Sequence, residues 1–497
     1  VGQGVETVVF RDGVVLPVDE SFTEHAAMAI RGNRILSVGS TEEVMAAAGP
    51  GARLVDLAGR TVLPGFIEPH MHFALIAAMG HLADVGAVRF PTFGETFDAL
   101  REIATGSGPG DWVAARQFDP VLLDPPRDLT TKELDEIAPD RPAVVLNASG
   151  HIAYANTMAL QIAGITNSIE DSPGAGYGRS QDGTLNGVLY GPGSYLPVVM
   201  ANPDVASRAT AGAVEAGLEV TAAAAALGIT TLCDQATGAA AGEADLITYR
   251  AMADSGRMKA RIRASMWDSP DWDDTDVAFG QGDDLVRLVG WKIVTDGSNQ
   301  GFTGRQREPY LGTDSVGLFY VEPEALREKV TTRAAQGWPV VMHGNGDAAI
   351  DAILDAAQAA GDAGIDVGSL RFRIEHCSIL HDDQIRRIKS LGMAPSFLIN
   401  HVHYWGHVMR DRVFGPEKVT LLDRCAAVER AGIPWTIHTD APVSALGTLH
   451  KIRVAVVRDL WKEPETVLAP DERVSVEAAI RAVTATAAWQ CHSEDVI

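Results

Sequence analysis

Eight short runs rich in apolar and β-branched residues alternate with Ala-rich stretches of helical period over most of the chain. That alternation restricts the fold more than any other feature. The runs are "GFIEPHMHF" (65–73), "GITTLCDQ" (228–235), "KARIRASMW" (259–267), "LVRLVGWKIVTDG" (285–297), "PVVMHGNG" (339–346), "RFRIEHCSI" (371–379), "MAPSFLIN" (393–400) and "PWTIHTDAPV" (434–443). Helical stretches lie between most of them, at 211–226, 244–255, 322–336, 347–360, 382–391 and 419–431. In "GDAAIDAILDAAQAAG" the apolar residues Ile350, Ile353 and Leu354 recur at helical spacing and Gly361 closes the run. Strands that alternate with crossover helices build a parallel sheet, and eight of them predict a (β/α)8 TIM barrel.

The flanks divide the remainder. Residues 1–63 read as a small β-sandwich-like sheet of three hairpins, turning at Asp12-Gly13, Gly32-Asn33 and Ala58-Gly59. The barrel is expected over 64–443. Its first crossover, 74–210, is too long for one helix and reads as an insertion with a Gly-rich loop, "DSPGAGYGRSQDGTLNGVLYGPG". Residues 444–497 read as a helical segment without strands returning to the small sheet, whose C-terminal strands are therefore expected to be missing.

A formal net charge of −24 over 497 residues argues against non-specific binding to nucleic acid or an anionic membrane. A small-molecule substrate is the partner expected. Oligomeric state is open, a homodimer being the arrangement to test. No basic or apolar leader is evident in "VGQGVETVVF", and Cys233, Cys377, Cys425 and Cys491 show no paired spacing. A cytoplasmic location is the expectation.

His70 and His72 lie two apart on the first predicted strand, so both rings face one side. Two imidazoles at a strand end can bind one side of a divalent metal. Four more polar residues fall at or near the C-terminal ends of later strands: Lys292, His343, His376 and Asp440. Each alone has an ordinary explanation. The histidines could be hydrogen-bonded core residues, Asp440 a helix cap, and Lys292 the partner of Asp296. Together, at the end of the barrel where active sites sit, they point to a metal site.

These residues, with "TVLPGFIEPHMHF" after a small sheet and "TDAPV" on the last strand, resemble the amidohydrolase superfamily. "VLNASGHIAYANTMAL", "DGSNQG" and "RIEHCSI" are similar to its branch that includes N-substituted formamide deformylase. The resemblance implies a metal-dependent hydrolase that cleaves a C–N bond of an amide, formamide or cyclic amide by a metal-activated hydroxide. It implies one or two divalent ions per chain, zinc first. His70 and His72 would hold one ion and His343 and His376 the second. A carbamylated Lys292 would bridge them, and Asp440 would be both ligand and proton carrier. His151, in "ASGHIAYAN", would face the substrate. Glu68 stands where the more usual residue is Asp. A lyase, such as a decarboxylase, or an isomerase on the same barrel site is the alternative, since fold does not decide chemistry; a scaffold that has lost catalysis is the third reading.

Around this centre, Gln300, Phe302, Tyr190, His403 and Trp405 are the expected substrate wall, with Tyr404 beside them. Strand parity places Cys377, Glu375 and Arg373 on the face away from His376, with Glu375 and Arg373 paired behind the site.

Overall fold

The computed structural model describes residues 6–108, 110–172, 174–273 and 275–497. The first five residues of the N-terminal stretch and Pro173 of the Gly-rich loop lie outside them.

All eight expected barrel strands form, as one parallel sheet in chain order: Phe66–Met71, Ile229–Thr237, Arg261–Trp267, Val286–Val294, Val340–Gly344, Arg373–His376, Ala394–Phe397 and Thr436–Ile437. Helices cover the outside while side chains fill the inside, so both faces are buried and the strands are apolar runs rather than alternating ones. The ring closes where the amide N–H of His72 donates to the Ala441 carbonyl at 2.9 Å, beside a Met71–Ala441 bridge. Closure thus brings the first His pair against the strand-eight aspartate.

Helices follow where the period predicted them. Asp347–Asp362 buries Ile350, Ile353, Leu354 and a row of alanines against the barrel. The stretch expected as one helix over 419–431 is instead a 3-10 turn, Val419–Leu421, and a short helix, Cys425–Arg430. Asp423, at φ 46°, breaks it, because a left-handed residue cannot continue a right-handed helix.

The insertion builds its own six-stranded sheet, in the order Gly176–Arg179, Leu185–Tyr190, Ile152–Ala155, Ala143–Asn147, Val113–Phe118 and Ala83–Asp84. In the small N-terminal unit only the Gly32-Asn33 hairpin forms as expected, joining Ala27–Arg31 to Arg34–Gly39. The other two turns are corners rather than hairpins. Thr7–Arg11 runs parallel to Arg53–Asp56, and Val14–Val15 runs parallel to Thr61–Val62 in a second sheet. The two corners lie against each other, Gly59 N–H donating to the Asp12 carbonyl at 2.8 Å, so each arm changes sheet at its turn.

After the last barrel strand the chain is mostly helical, with one hairpin, Asp459–Leu460 with Glu463–Val467. Among the described residues no helix is long and apolar enough to cross a membrane.

Candidate metal centre

The first barrel strand carries three inward side chains with different tasks. Glu68 is fully buried; it accepts the Thr439 amide at 2.9 Å and pairs with the equally buried Lys451 at 2.7 Å. This ties strand one to the end of strand eight and to the helix Thr448–Val457. Two positions on, His70 Nδ1 meets the Glu375 carboxylate, and His72, at the rim, faces Asp440. Asp440 Oδ1 lies 3.2 Å from His70 Nε2 and 3.0 Å from His72 Nε2.

The remaining candidates converge on the same volume. The His376 ring lies 4.9 Å from that of His70 and 4.4 Å from that of His343. His343 Nε2 is held by the Gly297 carbonyl at 3.0 Å, with the Asn345 amide also within reach at 3.1 Å. That leaves Nδ1 as its free donor atom. Lys292 is buried with no hydrogen-bond partner for Nζ. Burial pushes its amine down to about 8. His151 reaches in from the insertion, its ring 5.0 Å from that of His343, and burial pushes it down to about 4, so it is neutral at neutral pH. Burial alone would raise Asp440, but the imidazoles of His70 and His376 hold it well below the usual carboxylate range.

A divalent ion fits these donors. His70 Nε2, His72 Nδ1, Lys292 Nζ, His151 Nδ1 and Asp440 Oδ1 are all buried and without hydrogen-bond partners. Buried polar atoms are rarely left so, and several around one volume mark a missing partner. Among the described residues, His70, His72 and Asp440 can place three ligand atoms around one point. His70, Glu375 and His438 also lie close enough. Their atoms are otherwise engaged, however: Glu375 is held by Arg373 at 2.8 and 3.0 Å, and His438 by Ser396 and His376.

Two sequence expectations are corrected here. Glu375 and Arg373 pair as expected, at 2.8 and 3.0 Å, but they do not face away from the site. Glu375 orients His70, and Arg373 also donates to the Pro69 carbonyl at 3.0 Å. The parity argument fails because His376 takes φ 65°, which swings its side chain inward next to an inward neighbour. Asp296 is not the partner of Lys292. Its carboxylate accepts the backbone amides of Asn345, Gly346 and Arg305 at 3.0, 2.8 and 2.8 Å, anchoring two loops. Cys377 is fully buried in the hydrophobic core.

A cavity of about 100 Å³ opens on this cluster, lined by His72, Lys292, His343, His151 and Asp440 among mostly apolar residues such as Leu75, Leu146, Leu196 and Trp267. The residues expected as substrate wall lie elsewhere. Tyr190, Gln300 and Phe302 line a neighbouring cleft of about 340 Å³, which shares only Asn147 and Ile152 with the cavity. Trp405 lies in a third cleft, its indole donating to Asp119 at 2.7 Å, and His403 bonds the Asp459 carbonyl at 3.0 Å. None of these five residues lines the cavity at the cluster. Sequence reasoning missed His438, Asn345 and the Glu68–Lys451 pair. His438 stands two before Asp440, and strand parity could have found it.

The comparisons agree with the architecture. The model of the amidohydrolase family matches residues 53–497. N-substituted formamide deformylase from Arthrobacter pascens is 28% identical over 92% of this chain and 84% of that protein. The Arabidopsis thaliana protein LONG AFTER FAR-RED 3 is 28% identical over 97% of this chain and 83% of its own. Among solved structures, an uncharacterized metal-dependent hydrolase from Pyrococcus horikoshii superposes with a TM-score of 0.75 over 99% of this chain and 94% of that one, at 20% identity. The family match and the formamide deformylase relative place the barrel among hydrolases. The chain belongs to the amidohydrolase family.

Proposed function

We propose that this protein hydrolyses the C–N bond of a small amide, formamide or cyclic amide. The observation that carries the reading is the convergence of His72, Lys292 and Asp440, each with an unpartnered buried atom, on one cavity, with His70 Nε2 3.2 Å from Asp440. Similarity to the formamide deformylase supports the bond type.

His70, His72 and Asp440 would hold one divalent ion; His343 and His376 would hold a second, with a carbamate on Lys292 between them. Zinc suits imidazole and carboxylate donors. Such ions acidify water and polarise a substrate oxygen. Burial favours the neutral amine of Lys292, the form that adds carbon dioxide. The Asp440 carboxylate takes the proton of the attacking water and delivers it to the departing nitrogen. His151, neutral and on the cavity wall, donates a hydrogen bond to the substrate carbonyl. The apolar lining excludes bulk water and suits an uncharged substrate.

Asp440→Asn tests the proton role. With metal content measured as unchanged, the rate should fall by about 100-fold or more, the range of general acid–base catalysis. An undiminished rate at full metal content sinks that role. Product analysis tests the bond: an amine with a carboxylic acid supports the reading, while release of carbon dioxide from a carboxylate substrate identifies a lyase.

A further inference from the structure

The histidine two residues before Asp440 has no task in the chemistry above, yet it sits in a continuous hydrogen-bonded chain of buried side chains. His376 Nδ1 lies 3.2 Å from His438 Nε2, and His438 Nδ1 lies 2.8 Å from Ser396 Oγ. Ser396 Oγ and Thr436 Oγ1 are 2.8 Å apart, and Thr436 Oγ1 is 2.6 Å from Gln490 Oε1. Gln490 Nε2 donates to the Pro395 carbonyl at 3.1 Å, which turns its amide oxygen toward Thr436. All five side chains are at most 2% exposed.

We propose that His438 is a positioning residue that, through the chain Ser396–Thr436–Gln490, fixes the tautomer and ring orientation of His376 for metal binding through Nε2. The inference rests on the metal reading above.

The roles along the chain follow from one another. An imidazole that ligates through Nε2 carries its proton on Nδ1. That proton points at His438 Nε2, which must accept, so the His438 proton sits on Nδ1 and goes to Ser396. Ser396 Oγ also has the Thr436 hydroxyl as a donor, at 2.8 Å, and that hydroxyl is held in turn by the Gln490 oxygen, which can only accept. Linked hydrogen bonds of this kind polarise one another. His438 is also stacked on His70, centroids 4.6 Å apart at 19°, so its ring cannot rotate freely. The device parallels the other side of the centre, where Glu375 and Arg373 orient His70. There the outer partner is an anion; here it is a neutral ring.

The test is Co2+ titration of the full chain after chelator treatment, read by visible absorption and by the dissociation constants of the bound ions. His438→Leu removes the acceptor. It should weaken the ion held by His376 about 10- to 100-fold, the usual effect of removing a ligand's outer partner, and shift the Co2+ bands. His438→Gln, with its amide oxygen near the Nε2 position, should recover most of both. Ser396→Ala should produce a smaller change in the same direction, and it decides alone if the Leu variant does not fold. Wild-type affinity and spectrum in His438→Leu, or in Ser396→Ala where that variant decides, overturn the proposal. A wild-type chain that takes up no Co2+ overturns the metal reading, and this proposal with it.

Discussion

Lys292 shows what burial does to a single residue. An ammonium in that position would need a carboxylate within reach, and Nζ has no partner. Desolvation instead lowers its pKa to about 8, well below that of a free lysine. Because the neutral amine is the nucleophile toward carbon dioxide, uptake at fixed dissolved carbon dioxide should be slow at pH 6. It should rise tenfold per pH unit and level off above about pH 8. Stopped-flow reconstitution with Zn2+ measures this, and a pH-independent rate removes the carbamate from the scheme. At this scale the sequence was informative about the candidate ligands. His70, His72, His343, His376 and Asp440 are polar residues at the ends of apolar strands, and strand position alone brings them together. It turned Glu375 the wrong way, because a single left-handed residue, His376, reverses the parity on which the reading relied.

Elements position the centre through their ends. The helix Asp347–Asp362 begins just after Gly346, whose amide donates to Asp296. A Cβ there would lie 1.9 Å from the Arg305 carbonyl oxygen, which is backbone and cannot swing aside. Asp296 also holds the amides of Arg305 and Asn345, next to His343. Gly346→Ala should therefore displace the loop that bears the Gly297 carbonyl and misplace His343. Overpacking of this kind costs about 1–3 kcal/mol of stability. A shift of about 1 Å near the reacting groups costs about 100-fold in kcat. Wild-type kinetics in this variant would show that the loop is free to move without consequence. The barrel elements themselves were legible because short apolar, β-branched runs alternate with stretches of helical period. The corners at Asp12-Gly13 and Ala58-Gly59 were not. A turn signal says that the chain reverses, but not which sheet receives the returning arm.

Across the whole molecule, the insertion is joined to the barrel by polar contacts at its edge. Asp119, just past the insertion strand Val113–Phe118, accepts the indole N–H of Trp405 from the loop after barrel strand seven. Burial pushes the Asp119 carboxyl up to about 6, above its ordinary value near 4. Between those values the folded chain keeps a proton that the unfolded chain has lost. Stability from this group therefore falls as pH rises from 4 to 6 and is level above. Asp119→Asn has no such dependence. The difference in unfolding free energy between the two proteins should shift toward the Asn variant by about 2 kcal/mol between pH 4 and pH 7. Denaturant titrations at the two pH values check it, and parallel curves would show that Asp119 does not titrate there. The insertion sheet escaped the sequence reading because it mixes parallel and antiparallel pairs between segments far apart in the chain, which no local period encodes.

The left-handed turn at His376 also bears on transplanting this centre. On a regular strand, adjacent positions serve opposite faces, so a graft that copies Glu375 and His376 as letters would send one of them into the barrel wall. The motif is portable only as a backbone shape. A host scaffold must supply the φ of 65° before either residue has meaning, and a screen of host barrels should rank candidates by that torsion first.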